Sequence, residues 1–274
     1  RESLYGEKRQ KKKGEVVMFN GEKMNKAKEE YNKCAKGYTK ATIRPMRKFA
    51  YEPTILNAIS EIKGKVVLDI ACGEGVSSRM IKSLGAKKVI GVDVSEELIK
   101  KAKETGGEDI EYFVCDIFSE DLSKFGKFDI ITGIMILHYS NSLNQLKNLI
   151  KNISSALNKK GIIYSLTINP DVLAFGYNKY GIKISSPKKE GDSVLTELHS
   201  FEGDKYCEFT NYYWKKETYT KLLENEGFKV EWIHGIVSEE GIKEYGKTFW
   251  QDYIKNPIYI MIKATKVSPL KIFF

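Results

Sequence analysis

Cysteine is scarce in this chain. Its 274 residues include four, at Cys34, Cys72, Cys115 and Cys207, and no two of them have the C-x-x-C spacing of a zinc site or a dithiol redox motif. The four thiols therefore form neither a disulfide framework nor a ligand cluster; no metal is expected, and a reduced, cytoplasmic setting is the simplest reading. No run approaches the roughly 18 apolar residues that a membrane helix needs. The basic start of the chain lacks the apolar stretch of a secretory signal. Prolines number only six, and no internal repeat is visible. Apolar material is not lacking, because hydrophobic residues make up 42% and charged residues 30%. That balance excludes disorder over most of the chain and supplies a core for one large α/β domain.

The body of the chain also lacks net charge. The formal net charge is +9, but residues 1–48 alone hold 15 Lys+Arg against 6 Asp+Glu, and the remainder carries 30 of each. The basic excess belongs to the N-terminal part, so the domain offers no basic face and nucleic acid is not expected as its partner. Residues 1–22 read as a basic, disordered arm. Residues 23–62 read as helical, with Tyr31, Ala35 and Tyr38 on one face, and Pro45 and Pro53 are expected to break the segment into short helices.

An alternation of strands and helices follows. Apolar runs at 65–71, 88–94, 110–114, 128–134 and 161–168 read as strands, and 77–84, 96–103 and 143–157 as helices between them. Ser95 caps the second of these helices, with acids in its first turn. Strands that alternate with helices predict a mostly parallel, Rossmann-like sheet with helices on both faces. Residues 171–209 break the rhythm with Gly, Ser, Lys and aromatics. A helix at 216–226 and strands at 228–234 and 258–265 close the domain; the segment between the last two is read as a hairpin connection, with one antiparallel pair at the end. The domain is thus expected over 63–267, with a cap insertion at 171–209 and a tail at 268–274.

The most informative stretch is Val67-Leu68-Asp69-Ile70-Ala71-Cys72-Gly73-Glu74-Gly75, a strand that runs through a glycine turn into a helix. Gly73 and Gly75 allow close approach of a ligand, and the helix start offers free N–H groups. A dinucleotide site would have G-x-G-x-x-G, which is missing. Asp69, before the turn, would repel a pyrophosphate and attract an ammonium group. Asp93, at the end of the second strand, can accept both hydroxyls of a ribose. Asp116, after the third, can accept from an exocyclic amine while Ile117 offers its backbone N–H. A lone Asp after a strand is ordinarily a cap or turn former; three of them at the ends of three successive strands point to a ligand.

With these motifs, residues 65–168 resemble the class I S-adenosylmethionine-dependent methyltransferases, whose first strand and turn read hydrophobic-D-x-G-x-G-x-G. Ala71 stands at the first glycine, where a small residue is expected to suffice. The resemblance extends to Phe128-Asp129-Ile130-Ile131 with Leu137-His138-Tyr139, to Leu157 through Ile163, and to Trp214 through Phe228. It implies S-adenosylmethionine as cofactor and S-adenosylhomocysteine as product. It places Asp69, Ala71, Gly73, Gly75, Asp93, Val94, Asp116, Ile117 and Ile134 at the cofactor, with Tyr38 and then Tyr31 as lid residues. His138, near the expected reaction centre, reads either as a general base or as a pocket wall.

The acceptor is less legible. After the fourth strand the chain reads Gly133-Ile134-Met135-Ile136-Leu137-His138-Tyr139, without the N/D-P-P-Y/F loop of enzymes that methylate nucleic-acid or glutamine amines. The aromatic insertion, with Phe175, Tyr180, Phe201, Phe209, Tyr212, Tyr213 and Trp214, suits a cap over a small molecule, although the same residues could simply pack on the sheet. A small-molecule methyltransferase is the expected function. An RNA or protein methyltransferase tethered by the basic arm, and a non-catalytic cofactor-binding subunit, stay as alternatives.

Overall fold

A computed structural model describes residues 45–107, 109–172, 176–200 and 203–267. Tyr31, Tyr38, the basic arm and the 268–274 tail lie outside the described residues.

The first half follows the predicted rhythm. Helix α1 (Glu52–Ala58) precedes β1 (Val66–Ile70), α2 (Val76–Ser83), β2 (Lys88–Asp93), α3 (Glu96–Thr105), β3 (Ile110–Val114), β4 (Phe128–Ile134), α4 (Leu143–Ala156) and β5 (Leu157–Ile168). Capping explains two of the helix starts: the Ser95 hydroxyl accepts from the Leu98 N–H at 3.3 Å, and that of Ser142 from the Gln145 N–H at 3.2 Å. The insertion forms β6 (Gly176–Tyr177), β7 (Ile182–Ile184), β8 (Ser193–His199) and β9 (Lys205–Tyr212). After it come α5 (Lys216–Asn225), β10 (Phe228–His234), α6 (Glu239–Lys255) and β11 (Tyr259–Lys266).

Seven strands form one sheet in the order β10-β11-β5-β4-β1-β2-β3. Strands β1 to β5 are mutually parallel, and β11 is antiparallel to both of its neighbours, β5 and β10. Two antiparallel pairs thus stand where one was expected, because β11 is inserted between β5 and β10. Alternate residues divide the core between the two faces. Val67 and Ile130 pack with Ile55 of α1 and Ile81 of α2, whereas Leu68 and Ile131 pack with Leu146 and Leu149 of α4 and Tyr219 of α5.

Three expectations need correction. The insertion is not irregular: β6 to β9 form a four-stranded antiparallel sheet. The connection between β10 and β11 is not a hairpin loop but the 17-residue helix α6, capped by Ser238 and bent at Gly246, whose φ is 82°. Pro53 does not break the N-terminal helix. A π-turn at Arg47–Tyr51, in which the Glu52 N–H donates to the Arg47 carbonyl, runs directly into α1 and absorbs the proline. The Phe49 carbonyl, which a residue-53 N–H would otherwise meet, accepts instead from Ser238 N–H at 2.8 Å. Phe49, Ala50, Trp250, Tyr253 and Tyr180 share one cluster with the second sheet. The described end of the expected lid is therefore a buried element that ties α6 and the second sheet to the domain.

Candidate active site

The carboxyl ends of β1 and β4 both turn through left-handed backbone. After β1, Ala71 has φ 54°, Gly73 56° and Gly75 81°. A Cβ on Gly75 would stand 2.4 Å from the Tyr112 hydroxyl, so that position has no room for a side chain. A Cβ on Gly73 would meet nothing within 4 Å, which leaves that side of the turn open to a ligand. The expectation at Ala71 was that smallness suffices. Its positive φ adds a second demand, because an L-residue in that region is strained by about 1–2 kcal/mol.

The three acids shape this edge in different ways. Asp69 is fully buried. One of its oxygens accepts from the Ser77 and Ser78 hydroxyls, each at 2.7 Å, and the other from the Thr132 hydroxyl at 2.7 Å. Burial pushes its pKa up, and the three hydroxyls oppose that shift. Asp69 thus fastens the glycine turn to α2 and to β4, and its charge is spent within the protein. Asp93, 8% exposed, accepts from Gly73 N–H and Ser95 N–H, both at 2.9 Å. Each of its oxygens keeps a lone pair for a further donor, and burial raises its pKa too. Asp116 accepts from Phe118 N–H at 2.9 Å and from the Ser119 hydroxyl at 2.6 Å, forming a local turn. Ile117 beside it is buried, and Val94, after β2, is half-buried. The sheet register sets Asp69 against Gly91 and Thr132, and Asp93 against Val114, so these groups share one edge.

Next along that edge, half-buried Ile134 ends β4 and pairs with Leu166. Met135 follows with φ 61°, strain of the kind that gathers at functional loops. A short 3-10 turn at Leu137–Tyr139 then carries His138. This ring is 4% exposed. Its Nδ1 lies 3.0 Å from the Thr167 hydroxyl of β5, and its Nε2 has no hydrogen-bond partner. Burial lowers its pKa to about 3. The ring is thus held neutral, with Nε2 open as a hydrogen-bond acceptor.

The second sheet covers this histidine. A cavity of about 20 Å³ lies among His138, Thr167, Val194, Asn211, Tyr212 and Trp214. An adjoining cavity of about 570 Å³ shares Pro170 and Tyr213 with it and opens between Lys188, Glu190 and Lys215. The Trp214 indole N–H donates to the Ser140 carbonyl at 2.9 Å, which pins the insertion to the His138 loop. The aromatics divide between two roles. Tyr212, Tyr213 and Trp214 line the inner cavity, whereas Tyr180 stacks on Trp250 inside the α6 cluster. Phe175 and Phe201 lie outside the described residues. Thr132, Ser77, Ser78, Thr167 and Asn211 were not expected at the site. Only the Ser77-Ser78 pair at a helix start carried a sequence signal.

Comparison with known proteins agrees with this geometry. Residues 67–161 match the family described as a methyltransferase domain. An uncharacterized methyltransferase of Schizosaccharomyces pombe is 25% identical over 230 residues, covering 77% of this chain and 82% of that protein. A ubiquinone biosynthesis O-methyltransferase of Coxiella burnetii is 36% identical over 124 residues, covering 44% of this chain and 50% of the relative. The chain spans about half the length of several curated relatives that it matches over this domain. The crystal structure of an S-adenosylmethionine-dependent methyltransferase from Mesorhizobium loti superposes with a TM-score of 0.60 at 18% identity, covering 82% of this chain and 100% of that one. Among the described residues no helix is long and apolar enough to cross a membrane.

Proposed function

The chain belongs to the class I S-adenosylmethionine-dependent methyltransferases through its 67–161 domain, and from that premise we propose that it methylates an N, O or S atom of a small-molecule acceptor. The residues at the glycine turn fit the donor. Gly73 leaves an open side, Asp93 keeps lone pairs for ribose hydroxyls, and the α2 N-terminus faces the turn. When bound, S-adenosylmethionine supplies a methyl group already activated on a sulfonium. A lone pair of the acceptor forms the new bond to carbon, the carbon–sulfur pair stays on sulfur, and the acceptor's proton is released.

The protein's own part is alignment and exclusion of water. Asp69 and Asp93 fix the turn through five hydrogen bonds, with Ser77, Ser78, Thr132, Gly73 and Ser95. His138, Thr167 and the second sheet enclose the acceptor end of the edge. The covered His138 is the observation that carries the small-molecule reading: the space beside it is about 20 Å³ and shares Pro170 and Tyr213 with a cavity of about 570 Å³, a size that suits a small molecule.

Two measurements test this. Calorimetry should show binding of S-adenosylhomocysteine, and Asp93→Ala should weaken it by about 1.5–3 kcal/mol by removing a charged acceptor. Incubation with methyl-labelled donor and separated cell fractions should label the small-molecule fraction. Label confined to RNA or protein would overturn the acceptor class, and absence of cofactor binding would overturn the whole reading.

A further inference from the structure

The loop after β3 carries Asp116 and Ile117, and a side chain distant in sequence holds it. Asn152 stands on α4, a helix anchored in the core through Leu146, Leu149, Ile150 and Ile153. Its Oδ1 accepts from the Leu122 N–H at 2.9 Å. Its Nδ2 donates to the Ile117 carbonyl at 3.2 Å and to the Glu120 carbonyl at 2.7 Å. The amide fits in one orientation only, because a backbone N–H needs the oxygen and the two carbonyls need the nitrogen. One side chain thus clamps both ends of residues 117–122 to a rigid helix.

That clamp governs what the loop presents. The Asp116 carbonyl accepts from the Ser119 and Glu120 N–H groups, at 3.1 and 2.8 Å, inside the turn. A trans peptide sets its N–H opposite its carbonyl, so the Ile117 N–H points out of the turn, and it has no hydrogen-bond partner among the described residues. The next peptide is held at both ends, its carbonyl by Asn152 and its N–H by the Asp116 carboxylate at 2.9 Å. Each Asp116 oxygen accepts one bond and keeps a lone pair. A free donor beside a carboxylate matches the acceptor N1 and the exocyclic amine of adenine. Building on the assignment of Asp116 and Ile117 to the cofactor, we propose that Asn152 is a positioning residue for the adenine of S-adenosylmethionine. It acts through the loop, setting the Ile117 N–H and the Asp116 carboxylate so that they meet the purine edge together.

The test compares, on the full chain, the Kd of S-adenosylhomocysteine with that of S-inosylhomocysteine, which has an oxygen in place of the exocyclic amine and a proton on N1. The parent should bind the inosine compound about tenfold more weakly or worse, because both edge groups are reversed. Asn152→Ala should raise the S-adenosylhomocysteine Kd about tenfold and the other Kd little, so that the ratio collapses. Asn152→Asp should do the same although it keeps the Leu122 bond, because its second oxygen faces two carbonyls. A merely structural contribution would move both Kd values alike. A third measurement needs no variant to fold: in nitrogen–proton NMR of the parent, the Asn152 side-chain amide should shift with S-adenosylhomocysteine and not with S-ribosylhomocysteine, which lacks the base. An unchanged ratio in the variants, or an unshifted amide, would overturn the proposal alone. A parent that binds both compounds equally would overturn it together with the assignment of Asp116 and Ile117. Absence of S-adenosylhomocysteine binding would overturn the methyltransferase reading as well.

Discussion

Ala71 is held in a strained backbone region and His138 in a buried one, and each condition has a measurable consequence. At most strand ends, replacing Ala by Gly is destabilising because glycine loses more backbone freedom on folding. Ala71 holds φ 54°, so Ala71→Gly relieves about 1–2 kcal/mol of strain, against an unfolded-state cost of about 0.4–1 kcal/mol. Urea unfolding should find Ala71→Gly as stable as the parent or slightly more so. Ala71→Val, which forces a β-branched residue into the same region, should be clearly less stable. His138 makes a pH prediction. Its folded pKa is about 3 because burial strips its solvation, against about 6.5 when unfolded. Unfolding therefore takes up a proton at acidic pH. The stability concerned is complete above pH 6.5 and is lost as pH falls toward 3, by up to about 1.4 kcal/mol per pH unit. Asp69 and Asp93, raised by burial, act in the opposite sense, and what they contribute fades as pH rises through their folded values. Comparing slopes isolates the histidine: between pH 6.5 and 4, His138→Gln should lose stability less steeply than the parent. Parallel slopes would mean that the ring is hydrated.

At the scale of elements, legibility followed regularity. Strands β1 to β4 lie near the expected runs because each is predominantly apolar and bounded by polar turns. The acids at their ends were legible for the same reason, since a strand fixes where its last side chain stands. Helix α6 was not legible. Its buried contacts come from Trp250 and Tyr253, and the non-helical Gly246 interrupts the 3.6-residue period. The second sheet escaped because the buried faces of β8 and β9 include the polar Thr196 and Asn211, which blur the alternation of apolar and polar residues. The join between α1 and α6 was invisible for another reason, because it depends on a carbonyl set free by Pro53. Thr54 completes that join. Its hydroxyl donates to the Ala50 carbonyl at 2.6 Å and accepts from Ile236 N–H at 3.0 Å. Thr54→Val keeps the shape but leaves the Ile236 N–H without its partner. Denaturant unfolding should show a loss of about 1–3 kcal/mol, with Thr54→Ser much nearer the parent. Equal losses in both would assign the effect to the methyl group instead.

For the whole molecule, the proposed function assigns two tasks to one sheet edge, on different supports. The glycine-turn half, from β1 to β3, is shaped by Asp69 and Asp93, whose hydrogen-bond partners among the described residues all lie outside the insertion. The other half, at β4 and β5, is completed by a separate four-stranded sheet whose attachment near the reaction centre includes the Trp214–Ser140 bond. Mutations in groups that share no partner have nearly independent effects, so donor and acceptor functions should separate. Trp214→Phe keeps most of the buried ring and removes only the indole N–H, leaving the Ser140 carbonyl without its donor and freeing the insertion to shift over His138. A displacement of even about 1 Å in a positioning element can cost on the order of a hundredfold in rate. The variant should therefore turn over acceptor at least tenfold more slowly at saturating donor, while calorimetry finds S-adenosylhomocysteine affinity within twofold of the parent. If donor affinity falls as far as turnover does, the two halves form a single coupled site and the division of labour along this edge is wrong.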